Sequence, residues 1–538
     1  MTRATLRGLR SDAATLLGLP LWEATSSLAL QPEARLLADV ARLGADLPTE
    51  RTGPRILFVS LKPSWTGNVA YESVLALALS LRGADCSFLL QGEALPMCDQ
   101  RWYRHTAPTR ARVIEMWAGA LERHLPFPVH RLESFADHSG AEPDHISDLG
   151  PIITPSMRRF YRRAHLPGDA RGTRLRRAFL GAARTLATTL PRALDAYLPK
   201  AVVTVNGSFF GERLLLDLCR EREIPIYTYE PGFMRHTLQF RLDGAATNRD
   251  CPAAWAAVQD NPLTEAQRAS VRAVLADRCR GASTALTHRP RADEAAVRRT
   301  AGIRAGRPHV SLFTNVVWDV AVQDRAIAFR DLYDWIDTTV SFFRDRPEGG
   351  LTLRIHPAEV TSRAGRTVEP VADHLAARFA TLPDNVTLVP PEAPLNAYQL
   401  VEHSDAVLAY TSTIGLEAAL MGRPTVVAAK THYRGKGFTL DPSTPEAYLD
   451  LLGHAASGTL PTPDDPDAAW RYAYAFFGLA HIPFPFLGTS EPGRFRGIDV
   501  PDLGSLAPGQ YAGLDAICDA ILEGREPLAP EASAPTAS

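Results

Sequence analysis

Lysine is scarce: of 58 basic residues only Lys62, Lys200, Lys430 and Lys436 are lysines, and the rest are arginines. A GC-rich coding sequence produces that bias, and so does a need for a compact ammonium at a few places where the broad guanidinium fork does not substitute. The six cysteines, Cys86, Cys98, Cys219, Cys251, Cys279 and Cys518, stand far apart and form no C-x-x-C pair. That disfavours structural zinc and a disulfide framework and leaves reduced core thiols. Long apolar runs are missing too, since stretches such as Val74–Leu81 fall well short of the ~20 residues that span a bilayer. Met1–Leu21 lacks the apolar core and small-residue cleavage site of a secretory signal. A net charge of -2 excludes the broad cationic footprint of a general nucleic-acid binder, though not a local basic cleft. These absences lead to the expectation of a cytoplasmic protein without a nucleic-acid partner.

What is present is ordinary globular usage, 45% hydrophobic and 22% charged over 538 residues, a length that suggests roughly three or four units of about 150 residues. No repeat of solenoid period occurs. Residues 1–53 read as a Leu/Ala-rich helical extension ending at Thr52-Gly53-Pro54. Arg55–Leu61 is a continuous apolar run of the kind buried on both faces of a parallel sheet. Turn residues, helical periodicity over Val69–Leu81 and a second strand at Cys86–Leu90 complete a βαβ unit. The stretch 100–195 is rich in arginine and aromatics, with helices expected at 109–124 and 172–196. Strands at 201–205 and 224–229 flank a helix at 211–221 and close a first α/β domain over 54–250. A charged helical linker follows over 251–305. The second half repeats the grammar, with strands at 309–314, 351–355, 386–389, 406–410 and 425–428 in a domain over 306–440. Residues 441–525 read as C-terminal helices and 526–538 as a disordered tail. The expected fold is α/β, two Rossmann-like domains facing a cleft, with helical N- and C-terminal extensions. Ligands of such sheets bind beyond the carboxyl ends of the strands.

Four strand-end segments of the second domain carry candidate chemistry. In Ala409–Gly422, Thr411, Ser412 and Thr413 open a helix where hydroxyls and free N–H groups could seat a phosphate, or where one of them simply caps the helix. Glu417, one turn in, could accept ribose hydroxyls or be a solvated residue favoured by the dipole. In Leu353–Glu359, Pro357 fixes the chain so that His356 could donate to a phosphate oxygen, beside Arg354; a capped loop is the bland alternative. In Lys430–Phe438, Lys430, Arg434 and Lys436 could neutralise a leaving phosphate, or form a solvated basic loop. In Phe313–Asp319, Asn315, Trp318 and Asp319 could face the cleft, with Trp318 equally suited to the core. From the first domain, Lys62, Trp65, Asn68 and Asn206 would form the acceptor side, and Glu72 and Glu230 are carboxylates able to act as bases or to bind hydroxyls.

The combination of Arg354-Ile-His-Pro357, Thr411-Ser-Thr413 ahead of Gly415-Leu-Glu417, and His432-Tyr-Arg-Gly-Lys-Gly-Phe438 resembles the capsule polysaccharide biosynthesis glycosyltransferases, a GT-B-type family related to Kdo transferases. Asn315-Val-Val-Trp-Asp319 fits the same group. The likeness covers roughly 300–445 and thins over 54–250. It implies His356 and Thr411–Thr413 on the phosphate of a nucleotide-sugar donor, CMP-activated in some relatives, and a glycan or glycolipid acceptor. It implies no cofactor, the nucleotide-sugar being a substrate, and no metal; Asp465-Pro-Asp467 falls in a linker rather than at a strand end. No residue of the first domain matches a family acid or base. The pattern leaves open a CDP-alditol phosphotransferase, a nucleotide-sugar epimerase or hydrolase, and a non-catalytic binding scaffold. It also leaves open peripheral association with the inner face of a membrane.

Overall fold

The computed structural model of the chain describes residues 31–48, 51–62, 65–91, 95, 97–98, 118–136, 148–280, 289–362, 365–463, 465–489 and 495–530. The first sheet takes β1 (Arg55–Ser60), β2 (Asp85–Leu90), β3 (Val129–Arg131), β4 (Ala201–Val205), β5 (Ile226–Pro231) and β6 (Thr237–Leu242). The second takes β7 (His309–Phe313), β8 (Gly350–Arg354), β9 (Val386–Val389), β10 (Ala406–Ala409) and β11 (Thr425–Val427). A late strand, β12 (Ile482–Pro483), joins the first sheet, giving the orders β12-β6-β5-β4-β1-β2-β3 and β11-β10-β7-β8-β9. The second sheet is parallel throughout, whereas β6 runs antiparallel to β5 and β12 antiparallel to β6. Two Rossmann-like halves are therefore present, as the alternation of strand and helix in the sequence leads one to expect.

The pattern of β1 shows why it sits centrally. Ile56 and Phe58 bury into one core cluster and Leu57 and Val59 into another, so both faces are covered. A strand with an apolar side chain on every position has no solvent face to offer. The helix Thr66–Leu81 is likewise buried almost all round, packed between the sheet and the helices Gln31–Gly44 and Ala512–Glu523. Leu36, Val40 and Leu43 thus enter the first domain's core.

The segment 441–525 is divided between the two domains. Pro445–Ala456 packs on the second domain through Tyr448 and Leu452. Pro466–Ala473 then runs into a π-helical turn, Tyr474–Leu479, and the chain crosses back to pair β12 with β6, Ile482 opposite Leu238. Leu514, Ile517, Cys518 and Ile521 finally close over the first core. The expected linker divides too: Val297 and Ala301 of the helix Glu294–Ala301 are core residues of the second domain. The expected helix at 172–196 is present as Ala170–Tyr197. Of the one expected at 109–124, residues 109–117 lie outside the described residues, as do 1–30 of the extension and 531–538 of the tail.

Candidate functional site

In both sheets the strand order reverses at the centre, between β1 and β4 and between β7 and β10. Such switch points open a crevice beyond the carboxyl ends of the strands. In the second domain three strand-end loops are tied together there. Thr314 Oγ1 accepts the N–H of His356 at 3.0 Å, and Asn315 Oδ1 accepts the N–H of Thr411 at 3.2 Å. Pro357 has no N–H to give, so Ala358 supplies the next one, which His356 Nδ1 accepts at 3.1 Å. An accepting Nδ1 places the proton of the neutral ring on Nε2. Burial pulls the His356 pKa down, with Asp319 acting against it and Arg354 with it. His356 is therefore a neutral hydrogen-bond donor at Nε2. Nearby, Thr411 Oγ1 is buried and has no partner among the described residues.

The turn that follows is shaped by Tyr433. Its hydroxyl donates to Ser412 O at 2.7 Å, and a Cβ on Gly415 would lie 2.2 Å from the Tyr433 hydroxyl oxygen, so only glycine fits. Ser412 Oγ accepts the Ile414 N–H at 3.4 Å, a weak cap, and Thr413 makes no capping bond to the short helix Ile414–Leu420.

The first domain answers with Glu230 at the end of β5. Asn206 Nδ2 donates to Glu230 Oε1 at 2.7 Å while Asn206 Oδ1 accepts the Ser208 N–H at 2.8 Å. Asn206 adopts a positive φ of 71° and Gly207 one of 87°, a turn that brings the backbone against Ala245. Burial pushes the Glu230 pKa up, opposed by Arg249, by the Asn206 hydrogen bond, and by Arg159 and Lys62. Arg249, itself at φ 60°, donates to Pro231 O at 3.2 Å and Gln239 Oε1 at 3.1 Å and lies 4.6 Å over the Phe233 ring. Burial lowers its pKa, while Glu230 of its own domain and Asp319 of the other hold it up. Asp319 is exposed, caps the turn Val320–Val322 through Ala321, and reaches both Arg249 and His356 electrostatically. The two rims thus share one field.

Several expected site residues are engaged elsewhere. Arg354 is buried and donates to the carbonyls of Pro390, Ala393 and Leu395, with burial pulling its pKa down to about 10, so it holds the loop after β9 instead of a ligand. Glu417, 2% exposed, pairs with Arg278, 3% exposed, and accepts from Tyr398 Oη at 3.1 Å; it is neither an open acceptor nor a solvated residue. Arg434 donates to Val427 O, Asp441 O and Pro442 O and so fastens its own loop. Lys436 sits 5.6 Å over the Trp255 ring, while Lys430 is exposed, with its N–H bonded to Arg325 O. Lys62 is buried against Glu212 between the rings of Trp65 and Phe209. Glu72 is sealed in the first core, where Tyr229 Oη donates to it at 3.0 Å. Asn68 is part-buried beside them, its carbonyl 3.2 Å from the same Tyr229 Oη and sharing its one proton with Glu72. Trp318 is core, its Nε1 donating to Thr367 Oγ1 at 2.9 Å.

Two contributors, Thr314 and Arg249, escape the sequence reading, and so does the buried His432 behind them. Thr314 directly precedes Asn315, so its strand-end position was available as a signal. Arg249 follows a strand, β6, that goes unrecognised. His432 lies inside a quoted motif, but there only the cations draw notice. It is buried and stacked 4.3 Å from Phe476, with Nδ1 3.0 Å from Tyr472 Oη and Nε2 buried without a partner among the described residues. No three His, Cys, Asp or Glu side chains gather as a metal site among the described residues, and no described helix is long and apolar enough to cross a membrane.

A two-domain α/β protein with anion-type donors at one switch point and a held carboxylate at the other is the class that fold and site define. Residues 314–450 match the family model described as capsule polysaccharide biosynthesis protein, the family that the motifs resemble. Among solved structures, the beta Kdo 2,4 transferase KpsC of Thermosulfurimonas dismutans is similar at 17% identity and TM-score 0.36, over 51% of this chain and 79% of that one. The beta Kdo 2,7 transferase KpsC of the same organism gives 13% and 0.35, over 57% and 84%. The UDP-GlcNAc 2-epimerase of Neisseria meningitidis gives 10% and 0.25, over 78% and 99%. No curated protein sequence matches.

Proposed function

We propose that the protein is a metal-independent GT-B-type glycosyltransferase that passes a sugar from a nucleotide-sugar donor to a hydroxyl of a saccharide or surface glycan, as in capsular polysaccharide biosynthesis. One arrangement carries the reading: a neutral imidazole with its proton on Nε2 and a buried, unpartnered Thr411 hydroxyl stand on loops tied together at one switch point, and Asp319, which acts on that imidazole, also acts on Arg249, the cation that opposes the raised pKa of Glu230. The family-model match over the donor-side domain supports it.

In this mechanism Glu230 takes the proton of the acceptor hydroxyl as that oxygen bonds to the anomeric carbon. The bond from this carbon to the phosphate oxygen breaks, and its electron pair leaves with the nucleotide. His356 Nε2–H and the Thr411 hydroxyl donate to the oxygens on which that charge grows, so the charge is met by groups of the chain itself. Arg249 favours the ionised form of Glu230. Only the carboxylate accepts a proton, so turnover falls as the pH drops through the raised pKa of Glu230.

The test is nucleotide release from CMP-, CDP-, UDP- and GDP-sugars with and without saccharide acceptors. One donor is expected to turn over only with an acceptor, and Glu230→Gln should keep donor affinity while losing roughly 10²-fold or more in kcat. Turnover independent of acceptor would mark an epimerase or hydrolase, and incorporation of polyol phosphate a phosphotransferase.

A further inference from the structure

The helix Ala170–Tyr197 carries six arginines against one aspartate, Asp195, in a chain whose net charge is -2. Its inward face is fixed by Phe179, Ala182, Ala183, Leu186, Leu190 and Leu194, all in the first domain's core. Arg171, Arg174, Arg177 and Arg184 follow at steps of three, three and seven; at about 100° per residue Arg174, Arg177 and Arg184 lie on one arc opposite that inward face, with Arg171 on its flank. All four are exposed, and none makes an ion pair among the described residues. Asp195 lies near the far end and is bonded to Arg222. Only Leu198, Pro199 and Lys200 separate the helix from β4, so helix and strand run antiparallel and the arginine-dense first turns lie at the cleft end of the domain.

An arginine-rich helix face is often just a solvated one, but two features argue for a partner. Arginines spaced this closely without interleaved acids repel one another, and the fold gains nothing from that repulsion. Just past the helix end, Leu198 is held at φ 46° with 65% of its surface exposed, the largest exposure of any large apolar side chain among the described residues. A non-glycine residue in that left-handed conformation costs about 1 kcal/mol or more. A convex ridge of guanidinium groups with an apolar side chain beyond its end suits a plane better than a thread.

From this the geometry points to a docking surface for an anionic lipid bilayer, made by the exposed face of Ala170–Tyr197. It goes beyond the proposed transfer reaction and does not rest on it. Guanidinium groups near an anionic leaflet attract it by about 1 kcal/mol each, and a single apolar side chain can sink among the headgroups. Docked by this helix, the first domain would hold the cleft end of its sheet beside the membrane surface.

The test is co-sedimentation of the full chain with vesicles of phosphatidylcholine alone or mixed with phosphatidylglycerol. Binding is expected only with the anionic lipid and should fall steeply as salt rises. The triple variant Arg174→Gln, Arg177→Gln, Arg184→Gln should bind about 100-fold more weakly, at about fivefold per arginine, with an unchanged thermal transition. If that variant fails to fold, the salt dependence and the neutral-lipid control on the native chain decide the matter. Equal binding to neutral vesicles, unchanged binding by the folded variant, or binding to dextran sulfate in solution without binding to vesicles would overturn the proposal. The last result would assign the face to a soluble polyanion.

Discussion

Glu72→Gln separates a structural carboxyl from a catalytic one. Glu72 lies on the buried helix Thr66–Leu81; its Oε1 accepts from Tyr229 Oη at 3.0 Å, and its Oε2 is buried without a partner among the described residues. Burial pushes its pKa from 4.5 up to about 8, with Glu212 adding to the rise and Tyr229, Ser60 and Lys62 offsetting it only in part. The folded chain therefore keeps this proton through a range in which the unfolded chain releases it. The contribution is fully present below pH ~4.5 and is lost as the pH rises through about 8. The gap corresponds to a loss on the order of 5 kcal/mol across that window. A glutamine stays neutral throughout and can still accept from Tyr229. In urea unfolding at mildly acidic and mildly alkaline pH, the native chain should lose stability on going alkaline, and Glu72→Gln should escape most of that loss while keeping its transfer activity. Parallel losses in both proteins would refute the argument from burial. A Glu72→Gln enzyme with normal stability but turnover lowered ~10²-fold would make Glu72 the base.

Other substitutions test the packing behind the site. Glu417→Gln leaves the Arg278 guanidinium buried without its counter-charge and should cost about 3–5 kcal/mol, read by urea unfolding; a loss too small to measure would mean the pair is open to water. Gly207→Ala puts a Cβ 2.8 Å from Ala245 Cα at a φ of 87°. It should destabilise the first domain by about 1–3 kcal/mol and, by displacing Asn206 from Glu230, shift the acidic limb of the pH–rate profile. Trp318→Phe removes the bond to Thr367 and should cost about 1 kcal/mol with substrate affinity unchanged; a large loss of affinity would return Trp318 to the cleft.

Much of the fold was legible because the central strands are extreme. β1 is a continuous apolar run from Ile56 to Val59, and β7 is buried at every position although His309 and Ser311 are polar, so both are covered on both faces. β3 and β12 were not legible, since strands of three and two residues carry no period. β6 was available in Leu238-Gln-Phe-Arg-Leu242, which alternates as a strand with one covered face should, but it adds an antiparallel strand where the rhythm of parallel units leads one to expect none. At the candidate site, the strand-end placement of His356 and Thr411 was legible because proline and small hydroxyl residues after a strand dictate backbone geometry. Glu417, Arg354 and Arg434 misled because their partners are remote or are backbone carbonyls. Arg278 is 139 positions from Glu417, on a helix expected only as part of a charged linker, and no local spacing reveals that two such charges neutralise each other in the interior.

The most direct measurement is calorimetric titration of CMP, CDP, UDP and GDP into the native chain and into His356→Ala and Thr411→Val. One nucleotide should bind, and each substitution should weaken it roughly 10- to 100-fold, the range of a lost hydrogen bond to a charged group, without altering the thermal transition of the free protein. Absence of binding by every nucleotide, or equal affinity in all three proteins, would contradict the claim that the loops after β7, β8 and β10 grip a nucleotide's phosphate.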